Sequence, residues 1–304
     1  MRDNTILVVV DLAAGPEQSV LERAGWLATQ GGARLELFAC DYDAAIESGR
    51  VDRAWVPEPG AREQLLSRHR RDVEELAKPL RARGITVSVD VVWDHPLDAA
   101  VVKKAAAHDY WLVAKGTHHH NVLQRTLLTQ TDWHLIRDCP APLLLVKDRK
   151  LSAEPNVLAA VDPLNEHDKP AALDDRIFNF GADLARVVRG HLHVVHAFAT
   201  PMGVELPPEV RDVLAAEHRQ AMAEFLDTHP VIAERAYLYE GLAHESLQAA
   251  AREHAADFVV MGAVARRGLK RLFIGSTAER VLDRLPCDLV IIKPLDFEPP
   301  VAGS

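Results

Sequence analysis

Short apolar runs alternate along the chain with longer stretches in which apolar residues recur at helical spacing. In the first half, the apolar runs predict strands at 5–11, 34–40, 86–92, 110–114 and 142–147. The longer stretches predict helices at 17–30, 61–83, 97–107 and 130–138. Strands that are apolar throughout are typical of a parallel sheet covered by helices on both faces.

The second half of the chain repeats this pattern. Its predicted strands are 156–162, 191–198, 234–239, 257–262 and 288–293, and its predicted helices are 170–188, 207–227, 244–255 and 276–284. The run Thr5–Asp11 (TILVVVD) is matched by Asn156–Asp162 (NVLAAVD), and Pro140–Lys147 is matched by Pro286–Lys293. A repeat of about half the chain length indicates a duplicated domain, because solenoid repeats are much shorter.

We therefore expect an α/β protein with two tandem doubly wound domains, at 1–148 and 154–295. Each is predicted to hold a five-stranded parallel sheet in the order 3-2-1-4-5, with helices on both faces. A short polar linker at about 148–155 joins them. Such sheets bind ligands beyond the carboxyl ends of their strands, so the residues after the first and fourth strands are the candidates for function.

Composition limits the partners and the compartment. The 304 residues carry 35 basic and 44 acidic side chains, a net charge of −9, so neither nucleic acid nor a membrane surface is an expected partner. No apolar stretch approaches the roughly 20 residues of a membrane span. Three separated cysteines, Cys40, Cys139 and Cys287, without a CxxC motif indicate reduced thiols in a cytoplasmic protein.

The loop after the fourth strand of the second half carries the clearest chemical signal. Gly262 leaves the strand, and Gly275-Ser276-Thr277 opens the next predicted helix. Four basic residues lie between them: Arg266, Arg267, Lys270 and Arg271. A glycine followed by a helix N-terminus suits a phosphate group, yet Gly-Ser-Thr also serves as a plain helix cap. Both interpretations remain open from spacing alone.

The duplicated unit resembles the universal stress protein family, over nearly the whole chain and in the tandem two-domain form. Family members that bind ATP carry Gly, two residues, Gly, nine residues, Gly and then Ser or Thr after the fourth strand. Ala265 stands here in place of the second glycine. The resemblance implies ATP or ADP with Mg as ligand, Asp162 near the adenine and the Ala197 backbone at the base. The implied nucleotide-binding residues are Asp162, Ala197, Gly262, Ala265, Gly275, Ser276 and Thr277.

The first half departs from this pattern. Thr129-Gln130-Thr131 aligns with Gly275-Ser276-Thr277, and Ala114 stands at the strand exit, so we expect no ATP binding there in the manner of the family. His118, His119 and His120 favour a solvated loop, with a zinc or nickel site as the alternative. Successive side chains diverge, so three adjacent histidines cannot converge on one ion.

These observations favour a stress-response binding and signalling protein over an enzyme, with no catalytic residues and no metal site. Its partner is a small molecule bound by the second domain. The alternatives are a weak ATP hydrolase or a protein that binds a ligand other than a nucleotide. The resemblance also implies that Leu143–Lys147 and Leu289–Lys293 pair within one molecule, as fifth strands pair between subunits of single-domain family members, which makes the halves an intramolecular pseudo-dimer and homodimerisation optional.

Overall fold

A computed structural model describes residues 3–48, 60–117, 128–164, 172–200, 206–229, 233–263 and 284–299. The chain divides into two compact units. The first is built on residues 1–116 and 130–141, and the second on residues 142–298 together with 117–129. The sequence-based limits 1–148 and 154–295 stay a prediction about the duplicated segments. The compact units differ from them at residues 142–148 and at residues 117–129, which both group with the second unit.

The first unit alternates strands and helices along the chain. Its strands are β1 (Asp3–Val9), β2 (Arg34–Asp41), β3 (Val87–Trp93) and β4 (Tyr110–Gly116). Its helices are α1 (Ser19–Gly31), α2 (Ala44–Ser48), α3 (Ala61–Ala82), α4 (Leu97–Ala107) and α5 (Gln130–Asp138).

The strands of the first unit are all parallel, in the order β3-β2-β1-β4. Val9 near the end of β1 lies level with Phe38 of β2 and Lys115 of β4. Ile6 and Leu112 in the central strands are fully buried. The continuous apolar runs therefore form the sandwiched parallel strands that the sequence predicts.

The second unit begins with β5 (Leu143–Val146). Its other strands are β6 (Asn156–Ala160), β7 (His191–Phe198), β8 (Arg235–Glu240), β9 (Phe258–Gly262) and β10 (Asp288–Ile292). Its helices are α6 (Ala172–Val188), α7 (Pro208–Asp227) and α8 (Ala243–Glu253).

Five of these strands are parallel in the order β8-β7-β6-β9-β10, which is the predicted order 3-2-1-4-5. The sixth strand, β5, runs antiparallel to β10, with Leu145 level with Leu289 and Leu143 level with Ile291. The pairing of these two segments, expected from sequence, is thus observed. The first half contributes its fifth strand to the sheet of the second unit.

Helices cover both faces of this sheet. On one face, α6 lies so close to β7 that a Cβ at Gly181 would lie 3.2 Å from Leu192. On the other face, the hydroxyl of Tyr239, which lies level with Ala197, donates to Glu253 of α8. Leu192 and Ala197 have opposite parity along β7, so their side chains point to opposite faces.

The structure differs from the sequence-based expectation in two local places. Helix α2 was not expected; its five residues are too few to show a helical period, and Asp43 caps it by accepting from the N–H groups of Ala45 and Ile46. Strand β6 ends at Ala160 because the Asp162 N–H donates to the Asp174 side chain instead of the sheet. The predicted helix 276–284 lies largely outside the described residues.

The polar linker is anchored on the second unit by one buried carboxylate. Asp257, fully buried, accepts hydrogen bonds from the Arg149 guanidinium (2.8 Å) and from the backbone N–H groups of Ser152 and Asn156 (3.1 Å each). Arg149 also donates to the Ala256 carbonyl. Among the described residues, no helix is both long and apolar enough to cross a membrane.

Candidate functional site

Three of the predicted site residues lie at neighbouring strand ends of the second unit. Asp162 follows β6, Ala197 is the penultimate residue of β7, and Gly262 ends β9. If the β6–β7 and β6–β9 registers are extended past the last paired residues, Asp162 lies level with Ala197, and Gly262 lies level with Val161. The carboxyl ends of adjacent parallel strands form the edge at which such sheets bind ligands.

The other predicted site residues, Ala265, Gly275, Ser276 and Thr277, lie outside the described residues, as do His118, His119 and His120 of the first half. Their assignments stay predictions.

Asp162 is held at this edge by its backbone. Its N–H donates to the Oδ1 atom of Asp174, at 3.1 Å, in the first turn of α6. The preceding Val161 N–H donates to the Val195 carbonyl at 3.0 Å. Only 8% of the Asp162 surface is exposed. An aspartate at a strand end is ordinary, but one whose main chain is fixed from two sides has a defined Cα–Cβ direction, which limits where its carboxylate can lie.

Gly262 has a packing role that sequence reasoning did not foresee. A Cβ at this position would lie 2.7 Å from Leu173 and 3.1 Å from Ile177, both in α6. No real Cβ tolerates the shorter of these distances without movement of its neighbours. The close approach of α6 to β9 therefore favours glycine here independently of any phosphate, since a larger residue would displace the side-chain ends of Leu173 and Ile177.

Beneath Asp162 lies a buried histidine pair that sequence reasoning did not identify. His196 of β7 and His218 of α7 are each 1% exposed, and the His196 Nε2 to His218 Nδ1 distance is 2.8 Å. The Nδ1 atom of His196 lies 3.1 Å from the Val161 carbonyl oxygen and 4.0 Å from Oδ1 of Asp162. The His218 ring stacks on Phe198, with centroids 4.4 Å apart.

A sequence signal for this pair existed. His218 and Met222 are four residues apart and share one face of α7, and both are buried. A histidine on the apolar stripe of a helix needs a hydrogen-bond partner in the core. His196, on the inward face of β7, is that partner, but the sequence does not show which strand residue α7 covers.

The equivalent edge of the first unit carries a buried ion pair. Lys115 of β4 and Asp132 in the first turn of α5 form an ion pair at 2.7 Å, with side chains 7% and 0% exposed. Strand β4 continues to Gly116, past the Ala114 that was expected at its exit. The expectation that this half does not bind ATP in the manner of the family stays a prediction.

A further strand-end carboxylate is held by an arginine, and burial shields the cysteine thiols. Glu240 at the end of β8 accepts hydrogen bonds from Arg211 at 2.8 and 2.9 Å. Burial raises the pKa of Cys40 to about 11 and of Cys287 to about 12, so neither thiol is an activated nucleophile. Cys139 is also a free, buried thiol. Within the described part of the chain, no three His, Cys, Asp or Glu residues cluster as metal ligands.

Comparison with known proteins gives consistent results. The model of the universal stress protein family matches residues 4–147 and again 155–293. Universal stress protein E of Escherichia coli K12 is 31% identical over 306 residues, covering 97% of this chain and 96% of the relative. Universal stress protein E of Photorhabdus laumondii is 30% identical over 310 residues, covering 98% of each chain.

Solved structures resemble the whole chain as well. A protein of unknown function from Pseudomonas aeruginosa PAO1 has 28% identity and a TM-score of 0.73, covering 96% of this chain and 92% of its own. A universal stress protein from Archaeoglobus fulgidus, at 17% identity and a TM-score of 0.67, covers 96% of this chain and 99% of its own and shows the same fold. The chain belongs to the universal stress protein family, of which it carries two domains in tandem.

Proposed function

We propose that the protein is a stress-response binding protein whose second unit takes an adenine nucleotide at the carboxyl edge of β6, β7 and β9. The observation that carries this proposal is the contrast between the two units. The second unit keeps a buried Asp162 at this edge, whereas the matching Asp11 of the first unit is only half-buried. In the first unit the Lys115–Asp132 ion pair occupies the start of α5.

The chemistry of this edge suits a base with an amino group and an attached phosphate chain. An ionised carboxylate only accepts hydrogen bonds, so Asp162 favours a ligand that presents N–H donors. The segment 262–277 contains four basic residues and no acidic one. Charge-assisted hydrogen bonds from such residues favour phosphate oxygens.

In this proposal, ATP or ADP with Mg binds the second unit, and the first unit is a scaffold that has lost the site. The cytoplasm is the proposed compartment. Hydrolysis of the nucleotide is at most weak, and turnover is not needed for a binding and signalling role. Asp162 is assigned a binding role in this proposal, and no base is assigned to activate a water molecule.

The test is equilibrium dialysis of the purified full chain with radiolabelled ATP and Mg. We expect a single ATP per chain. The variant Asp162→Asn should weaken binding about tenfold, because it removes a charged hydrogen-bond acceptor. Asp11→Asn, the matched change after β1 of the first unit, should leave the affinity unchanged.

The outcomes separate the alternatives. If no ATP binds at millimolar concentration, the ligand belongs to another chemical class. Loss of binding in Asp11→Asn but not in Asp162→Asn would move the site to the first unit. Release of phosphate from ATP by the wild type but not by Asp162→Asn would favour the hydrolase.

A further inference from the structure

The buried His196–His218 pair connects α7 to the ligand edge through hydrogen bonds. His218 contacts His196 at 2.8 Å, and His196 contacts the Val161 carbonyl at 3.1 Å. Both rings are 1% exposed. The pair lies outside the residues that the family pattern assigns to the nucleotide.

The direction of these hydrogen bonds follows from the chemistry of a carbonyl. The Val161 oxygen only accepts, so the Nδ1 atom of His196 carries the hydrogen. With both rings neutral, the Nε2 atom of His196 is an acceptor, and the Nδ1–H of His218 donates to it. In a pair of neutral rings both are therefore Nδ1–H tautomers, and each fixes the tautomer of the other.

This chain of bonds ends at the main chain that carries Asp162. Three consecutive backbone groups are held: the Val161 N–H by Val195, the Val161 carbonyl by His196, and the Asp162 N–H by Asp174. The His196 ring also lies 4.0 Å from the Asp162 carboxylate. Release of His196 would free the middle of these three groups.

We infer that His218, acting through His196, is a positioning residue that sets the direction of the Asp162 carboxylate toward the bound ligand. The inference rests on the proposed function, since it assigns a specificity role at the same site. His218 does not touch the ligand in this mechanism. His218 donates a hydrogen bond to His196 and thereby maintains the tautomer of His196. In that tautomer, His196 donates to the Val161 carbonyl and holds the Val161–Asp162 peptide in place.

Two substitutions at His218 separate positioning from packing. His218→Phe keeps a ring against Phe198, whose centroid lies 4.4 Å from that of His218, but removes the donor. His218→Asn loses the ring and keeps an N–H donor near the position of Nδ1. In equilibrium dialysis with radiolabelled ATP and Mg, we expect His218→Phe to bind about tenfold more weakly and His218→Asn to stay near wild type.

The reverse order, or unchanged affinity in His218→Phe, would overturn the inference, because a packing role predicts that loss of the ring is worse. A second measurement tests the inference in the protein without any ligand. In ¹⁵N spectra of the imidazole groups, both rings of the wild type should be Nδ1–H tautomers, and an Nε2–H tautomer at His196 would refute the mechanism.

A wild type that fails to bind ATP would refute the proposed function and leave this inference testable. The Asp162 amide resonance should then shift in His218→Phe and stay in place in His218→Asn. An Asp162 amide that is unchanged in His218→Phe would refute the positioning role by itself. Circular dichroism of both variants confirms that each is folded under the conditions of the measurement.

Discussion

Replacement of Asp132 by alanine should destabilise the first unit by about 3–5 kcal/mol, because it leaves the Lys115 ammonium buried without this carboxylate. The two charged atoms are 2.7 Å apart and the side chains are 7% and 0% exposed. At an effective dielectric constant of about 20, their attraction is about 6 kcal/mol. Desolvation of both groups offsets most of that attraction, so the pair contributes little net stability while its disruption is costly.

The chain offers a probe for this unit alone. All five tryptophans lie in the first half, and the second half contains none: Trp26, Trp55, Trp93, Trp111 and Trp133. Urea unfolding followed by tryptophan fluorescence therefore reports the first unit of the intact chain. The midpoint should fall strongly in Asp132→Ala and recover in the double variant Lys115→Met with Asp132→Leu, which replaces both charges by apolar groups.

The matched control is an exposed ion pair in α3. Glu75 and Lys78 are 66% and 65% exposed at 2.6 Å, so Glu75→Ala should cost less than about 1 kcal/mol. A loss in Asp132→Ala as small as in this control would refute the reasoning. So would a double variant that is as unstable as Asp132→Ala, since the damage would then not come from an isolated charge.

Three further predictions concern the second unit and the thiols. Ala265→Gly, which restores the glycine of the family pattern, should raise ATP affinity about fivefold in the dialysis assay, and an unchanged affinity would contradict it. The magnitude corresponds to about 1 kcal/mol, the general cost of alanine where a glycine conformation is needed. Burial lowers the pKa of His193, so the folded state takes up its proton less readily than the unfolded state. Its contribution therefore destabilises the fold as pH falls below about 6.5, and His193→Asn should flatten the pH dependence of thermal unfolding, measured by circular dichroism. Cys139 and Cys287, fully buried, should stay unmodified by a thiol reagent at pH 8 until urea is added, whereas rapid labelling would show that these sites open.

Hydrophobic periodicity predicted most of the fold because both units bury their central strands on both faces. The expected strands 34–40 and 191–198 agree with β2 (Arg34–Asp41) and β7 (His191–Phe198) to within a residue. The pairing of the segments before Lys147 and Lys293 was expected from the family resemblance and not from the apolar pattern, which does not specify which strands are neighbours. Helix α2 was not expected, because a capping aspartate and a single turn leave no periodic signal.

The candidate site was accessible from sequence only in part. Strand ends place Asp162, Ala197 and Gly262 at one edge, as expected, while their role with a nucleotide stays a prediction. The sequence could not show that α6 approaches Gly262, or that His218 reaches His196. Both facts depend on the angle at which a helix crosses the sheet, which local patterns do not encode.

Because β5 pairs with β10, the repeated sequence segment and the compact structural unit do not have the same boundaries. In the repeated sequence, Leu143–Val146 belongs to the first copy. In the structure, it pairs with the strand that holds Leu289 and Ile291 and so covers the edge of that strand. A fragment that starts at residue 154 would lose this donor strand and present an unpaired apolar edge, which is a template for aggregation. A fragment that starts at residue 142 retains β5, so the edge of β10 stays paired. A cut in the linker therefore removes the strand that covers the edge of β10 and leaves the second copy without it.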